Sequence, residues 1–253
     1  MLVDTHCHIH ESYELPVNEV MSRAHDAGVQ QMICVGTSEE SSRQAIEFAN
    51  LHSKVYAAVG VHPHETKDGY LQIASLVKLG ERTVAIGEIG LDYFYTHSPR
   101  EVQIEALKVQ VEVAIKHNLP IIFHVREAFD DFWPIFEALE KMHGPIRGVL
   151  HSFTDSKENM EKAITKGLYI GVNGISTFTK DEAQKAMFDA VPLDHLLFET
   201  DAPFLTPTPY RGKINEPAYV EVIAAYHAAR RGISLKEIAD ATTHNARALF
   251  QLK

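Results

Sequence analysis

The chain has 253 residues, 45% of them hydrophobic, with 24 Lys plus Arg against 34 Asp plus Glu and a formal net charge of −10. That length can bury a core without disulfide or metal staples, and the acidic balance excludes a protein that coats nucleic acid through a broad basic surface. A pocket in which bound divalent cations meet phosphates is compatible with it, because the ions are then the dominant local charge.

Eight short apolar or β-branched runs predict strands: Met1–Thr5, Gln31–Val35, Val55–Gly60, Val84–Ile89, Pro120–His124, Arg147–His151, Leu168–Gly171 and Leu196–Glu199. Most are continuously apolar, as expected of parallel strands covered on both faces. Helical signals lie between them. Pro16 opens a stripe of Val17, Val20, Met21 and Ala24 that Gly28 ends. Thr37 with Glu40, Ser98 with Glu101 (Pro99 at the first helical position) and Ser234 with Glu237 read as capping boxes, and Gly167 closes a helix that begins near Ser156. Phe129, Phe132, Trp133 and Phe136 at helical spacing read as outer core and not as a base-stacking platform.

Strands alternating with helices, without a linker-like tract, predict an α/β chain folded as a single (β/α)8 barrel over residues 1–253. The alternative is a doubly wound open sheet, but neither a Gly-rich dinucleotide loop nor a Walker lysine occurs. Cys7 and Cys34 have no C-x-x-C or zinc-ribbon spacing, which points to a reducing cytoplasm without a disulfide framework or thiolate metal site. The sequence offers no signal peptide and no apolar run near the ~18 residues of a membrane span.

The chemistry gathers at the predicted strand ends. His6 and His8 alternate in Asp4-Thr5-His6-Cys7-His8, so their imidazoles project together while Cys7 faces away; a pair of unremarked core or surface histidines is the alternative. Glu88, His124, His151 and Asp201 end or follow the fourth, fifth, sixth and eighth strands. Barrel active sites form at that end of the strands, and six metal-type side chains there are hard to assign to packing.

Those motifs, with Gly60-Val61-His62-Pro63-His64, Gly87-Glu88-Ile89-Gly90-Leu91-Asp92-Tyr93, His124-Val125-Arg126, His151-Ser152-Phe153, Glu199-Thr200-Asp201-Ala202-Pro203, Arg211–Pro217 and Asn245-Ala246, run in order along the whole chain. Together they resemble the TatD family of metal-dependent hydrolases and deoxyribonucleases, within the amidohydrolase-like barrels. The resemblance implies that His6, His8 and Asp201 hold one divalent ion, that His124 and His151 hold a second, and that Glu88 bridges them. N and O ligands suit Mg, Mn or Zn. It further implies hydrolysis of DNA, 3′ to 5′, by a two-metal-activated water, with Asp201 and Glu88 as catalytic groups. The alternatives are a hydrolase of small amides, lactones or esters and a metal-loaded binding protein without turnover.

His62, His64 and Arg126 read as substrate contacts for phosphate, and Arg211 as a further contact from the loop after the eighth strand. Structural or solvated loop residues are the alternative for the two histidines and Arg211, and Glu199 either orients its neighbours or accepts backbone hydrogen bonds. Nuclease relatives often carry an arginine after the Gly-Leu-Asp-aromatic motif; here Tyr93 continues into Phe94-Tyr95-Thr96-His97. This places the chain nearer the branch known only as metal-dependent hydrolases. DNA is then the expected partner, met in a local pocket, and no membrane is expected.

Overall fold

A computed structural model describes residues 1–253. Its strands are β1 (Leu2–Cys7), β2 (Val29–Val35), β3 (Val55–Val59), β4 (Thr83–Asp92), β5 (Ile121–Arg126), β6 (Gly148–Leu150), β7 (Tyr169–Val172) and β8 (Leu196–Phe198). All pairings are parallel and the strands neighbour one another in chain order, as the alternating strand and helix signals require. The seam between β8 and β1 is bridged by the segment that follows β8. The Asp201 amide donates to the His6 carbonyl at 2.8 Å and the His8 amide to Ala202 at 2.7 Å. Buried Asp4 accepts both the amide (2.9 Å) and the hydroxyl (2.6 Å) of Thr200. Closure therefore brings Asp201 beside His6 and His8.

The helices α1 (Val17–Asp26), α2 (Glu39–Leu51), α3 (Ile73–Leu76), α4 (Arg100–His117), α5 (Phe129–His143), α6 (Lys157–Thr165), α7 (Ile175–Phe178), α8 (Glu182–Ala190), α9 (Val220–Arg231) and α10 (Leu235–Phe250) alternate with the strands. After β3 a 3₁₀ segment, Pro63–Asp68, and the four-residue α3 replace a full crossover helix. No helix is long and apolar enough to cross a membrane. Two of the three expected capping boxes differ. Ser38, not Thr37, caps α2 by accepting from the Ser41 amide, because the Thr37 hydroxyl donates to Glu11. Pro99 is the cap of α4, while the Ser98 hydroxyl is drawn away to the His64 carbonyl. The Ser234–Glu237 box forms as expected.

Two apolar cores result. The larger lies between barrel and helices and takes in Phe129, Phe132, Trp133 and Phe136. The smaller fills the barrel with Val3, Ile33, Val35, Ala58, Ala85, Ile122, Val149 and Leu197, together with Leu249 and Phe250 of α10. In regular strands this inward set fixes which later residues face the site: His124 follows Ile122 by two and His151 follows Val149 by two, whereas Asp201, past the end of β8 and with φ +59°, is placed by its amide bond to the His6 carbonyl. His6 and Glu88 each stand three residues past an inward residue, Val3 and Ala85. Register shifts between Asp4 and Cys7 and between Ile86 and Ile89 supply the change of parity. Gly90 is needed just past the second irregularity, since its φ is +154° and a Cβ there would meet the His124 carbonyl oxygen at 1.8 Å.

Away from the site, His227 of α9 stacks on Phe198 at 5.6 Å, and its Nε2 is 2.9 Å from the Ser176 hydroxyl. That hydroxyl already donates to the Asn173 carbonyl, so Nε2 carries the proton and Nδ1 is a buried acceptor without a partner. Burial, followed by the Arg231 charge, lowers the His227 pKa to about 3. The folded pKa lies below the unfolded value near 6.5, so the unfolded chain takes up the proton first and stability falls as pH drops from about 6.5 towards 3. His227→Phe is expected to flatten the fall, by up to about 1.4 kcal/mol per pH unit. Urea unfolding of both proteins between pH 7 and 4.5 checks it; parallel pH profiles would refute the assignment.

Candidate metal centre

The strand ends open into one cavity of about 700 Å³ whose lining includes His8, His62, His64, Glu88, His124, Arg126, His151 and Asp201. His6 lies beneath, fully buried. Glu88 is the hub. Its Oε1 is 2.8 Å from His124 Nδ1, 3.6 Å from His151 Nε2 and 3.7 Å from His62 Nε2, and its Oε2 is 3.4 Å from His6 Nε2. Asp201 Oδ1 is 3.2 Å from His8 Nε2, 3.7 Å from His6 Nε2 and 3.8 Å from His151 Nε2. The six expected ligands are thus brought together around two carboxylates.

The far side of three imidazoles is held, which fixes what the near side can do. His8 Nδ1 donates to the Val35 carbonyl at 2.8 Å, leaving Nε2 as the atom turned to the centre, 3.1 Å from His6 Nε2. His151 Nδ1 is 2.8 Å from Glu199 Oε1, which also accepts the Ser152 amide at 2.7 Å. His124 Nε2 donates to Asp92 Oδ2 at 2.9 Å, so its Nδ1 is the atom offered towards Glu88. Convergent imidazole lone pairs and carboxylates, without thiolate, fit hard or borderline divalent cations. His6, His8 and Asp201 form one such group, and His6, Glu88 and His151 another.

Charge reinforces the arrangement. Burial would raise the Glu88 pKa, but His151, His62, His124 and His6 hold it well below the usual carboxylate range. Burial opposes protonation of His151 and His8, yet the charges of Glu199, Glu88 and Asp201 push His151 up to about 10, and Asp201 with Glu88 pushes His8 up to about 9. Protons and divalent cations compete for the same nitrogens.

His62 comes nearer the centre than a phosphate contact requires, grouping with both Glu88 and His124. Burial lowers its pKa to about 3, which keeps the ring neutral. His64 Nε2 sits 3.0 Å from Asp92 Oδ2. Arg126 lines the mouth, its guanidinium 3.9 Å from the Phe94 ring centroid. Arg211 is not brought to the cavity: it donates to the Thr206 carbonyl at 2.7 Å and lies 3.9 Å over Phe178. Its loop folds back on itself, which sequence position alone could not show. Asp92 caps its loop by accepting from the Phe94 and Tyr95 amides and grips His124. Glu11, Thr37, Tyr95 and Phe204 also line the cavity and carried no sequence signal for it.

Glu199 reaches the centre through His151, so its removal tests positioning. Glu199→Ala is expected to weaken Mn²⁺ or Zn²⁺ binding by about 10–100-fold, with partial recovery in Glu199→Gln. Calorimetric titration decides; unchanged affinity in the alanine variant would end the positioning role.

The profile of the family described as TatD related DNase matches residues 3–251. The Bacillus subtilis (strain 168) protein named uncharacterized metal-dependent hydrolase YabD is 37% identical over 256 residues, covering 100% of both chains. The 3′-5′ ssDNA/RNA exonuclease TatD of Enterobacter lignolyticus (strain SCF1) is 35% identical over 241 residues, covering 91% of each. Among solved structures, the TatD homologue YJJV from Escherichia coli K12 superposes with a TM-score of 0.89 at 28% identity, covering 100% of this chain and 98% of that one. With a match along nearly the whole sequence, the same barrel and a donor set suited to divalent cations, the chain belongs to the TatD related DNase family and is a metal-dependent hydrolase.

Proposed function

We propose that the protein hydrolyses phosphodiester bonds of DNA from the 3′ end, with His6, His8 and Asp201 holding one divalent cation, His124 and His151 holding a second, and Glu88 shared between them. The observation that carries this reading is the Arg126 guanidinium at the mouth of the metal centre, braced by an aromatic ring and facing the cavity beside His62 and His64. Similarity to the TatD exonuclease over most of the chain supports the same substrate class. When bound, the cations would lower the pKa of a water molecule and neutralise charge on the attacked phosphoryl group. Asp201, whose carboxylate is held below its usual pKa by His8, His151 and His6 against its burial, is ionised and able to accept the proton of that water. Glu88 fixes the four surrounding imidazoles, and Arg126 holds a non-bridging oxygen.

Arg126→Ala is expected to keep metal content and lower kcat/KM by about 10–100-fold, chiefly through KM, because charge-assisted hydrogen bonds contribute roughly 1.5–3 kcal/mol. Steady-state kinetics on a labelled oligonucleotide checks this. The reading as a whole is tested by incubating metal-reconstituted protein with end-labelled single-stranded DNA, duplex DNA and a panel of small esters and amides. Chelator-sensitive shortening of the DNA is expected; hydrolysis confined to the small molecules would replace the nuclease reading with that of a small-ester or amide hydrolase.

A further inference from the structure

The cavity mouth carries exposed aromatic rings on two opposite sides. β4 and β8 lie four strands apart in a ring of eight, and so face each other across the barrel axis. Beyond β4 stand Phe94 and Tyr95, 48% and 44% exposed; beyond β8 stands Phe204, 61% exposed. Tyr95 and Phe204 both line the cavity. Large apolar side chains left open to water at a polar site forgo the burial that stabilises the rest of the fold, which marks them as candidates for covering a ligand.

Neither side is a loose loop tip. The Asp92 carboxylate that grips His124 also accepts the Phe94 amide at 3.0 Å and the Tyr95 amide at 3.1 Å. Phe94 packs edge-on against Tyr95 at 4.6 Å, and the Arg126 guanidinium lies over both rings, at 3.9 and 5.2 Å. On the other side the Phe204 amide donates to the Asp201 carbonyl at 2.9 Å, and the Asn215 side chain donates to the carbonyls of Thr200 and Phe204. Gly174 lets the Leu205 carbonyl approach to where a Cβ would sit 1.9 Å away. The first platform is therefore tied by hydrogen bonds to Asp92, which grips His124, and the second to Asp201, so both are held in place beside the candidate centre.

We infer that Tyr95 and Phe204 are two nucleobase-stacking platforms flanking the metal centre, so that the site takes a pair of unstacked nucleotides with the phosphodiester between them held by Arg126. This rests on the phosphodiesterase reading. Every base presents a π-face, so such platforms give grip without reading sequence, whereas bases inside a duplex are already stacked on one another. Phe94 braces Arg126 and is a positioning residue.

The test is equilibrium binding, independent of turnover. Fluorescence anisotropy with metal-reconstituted protein compares a labelled phosphorothioate tetrathymidylate with the same backbone carrying abasic sugars. Phe204→Ala and Tyr95→Ala should each weaken binding of the tetrathymidylate about tenfold and leave the abasic strand unaffected. In parallel, unmodified single-stranded DNA should show a raised KM with kcat largely kept. Phe204→Trp, placed in a Trp133→Phe background, should report stacking as fluorescence quenching on binding and guards against misfolding in the alanine variants. DNA cleaved by the wild type with equal affinity for normal and abasic strands overturns the platforms and leaves the nuclease reading standing. A wild type that neither binds nor cleaves either strand overturns both.

Discussion

Glu88→Gln is expected to lower metal-dependent hydrolysis by about a thousandfold or more and to reduce the metal retained after dialysis. The exchange keeps the size of the side chain but removes the charge at the point where His6, His62, His124 and His151 converge within 2.8–3.7 Å. In the proposed arrangement both cations lose a shared anionic ligand, and preorganised electrostatic stabilisation of developing charge is commonly the largest catalytic contribution. Metal analysis beside single-turnover kinetics checks it, with a thermal melt to show that the barrel is intact. Equal metal content and rate in the two proteins would remove Glu88 from the centre of the mechanism.

Asp201→Asn separates metal holding from proton transfer. The amide keeps an oxygen near His8 and His6 but cannot accept a proton at neutral pH, so kcat is expected to fall by about 10²–10⁴-fold at saturating substrate while metal content declines far less. Asp201 also has φ +59°, a left-handed conformation that asparagine tolerates well, so the exchange should leave the backbone in place. Near-normal kcat with normal metal content would show that Asp201 has no essential base role. The two variants therefore fail in different ways: Glu88→Gln through the loss of bound metal and rate together, Asp201→Asn chiefly through rate.

Much of the fold was legible in the sequence because its signals are local. Continuous apolar runs mark strands buried on both faces, Gly28 and Gly167 end helices through their left-handed backbone, and Ser156 and Ser234 start them through their hydroxyls. The gathering of histidine and carboxylate side chains was legible for a related reason. Parallel strands of one barrel all end on one face, so side chains at strand ends must converge whatever the loops do.

What the sequence could not determine depends on contacts between distant segments. Capping at Thr37 and Ser98 was decided by Glu11 and the His64 carbonyl, partners from other loops that compete for the hydroxyls. The inward aim of His6 and Glu88 requires a parity change in β1 and β4, set by register against neighbouring strands and invisible in a strict two-residue alternation. Arg211 is turned onto Phe178 by the fold of its own loop. Phe204 and Tyr95, about 110 positions apart in sequence, come to line one cavity only because the barrel closes. The sequence by itself determined the strand order and the chemical identity of the site, since period, punctuation and side-chain type are properties of short segments. Only the tertiary structure decided which nitrogens face the centre and which residues surround them, because the hydrogen bonds to Val35 and Asp92 and the close contact with Glu199 form only when separate strands are packed side by side.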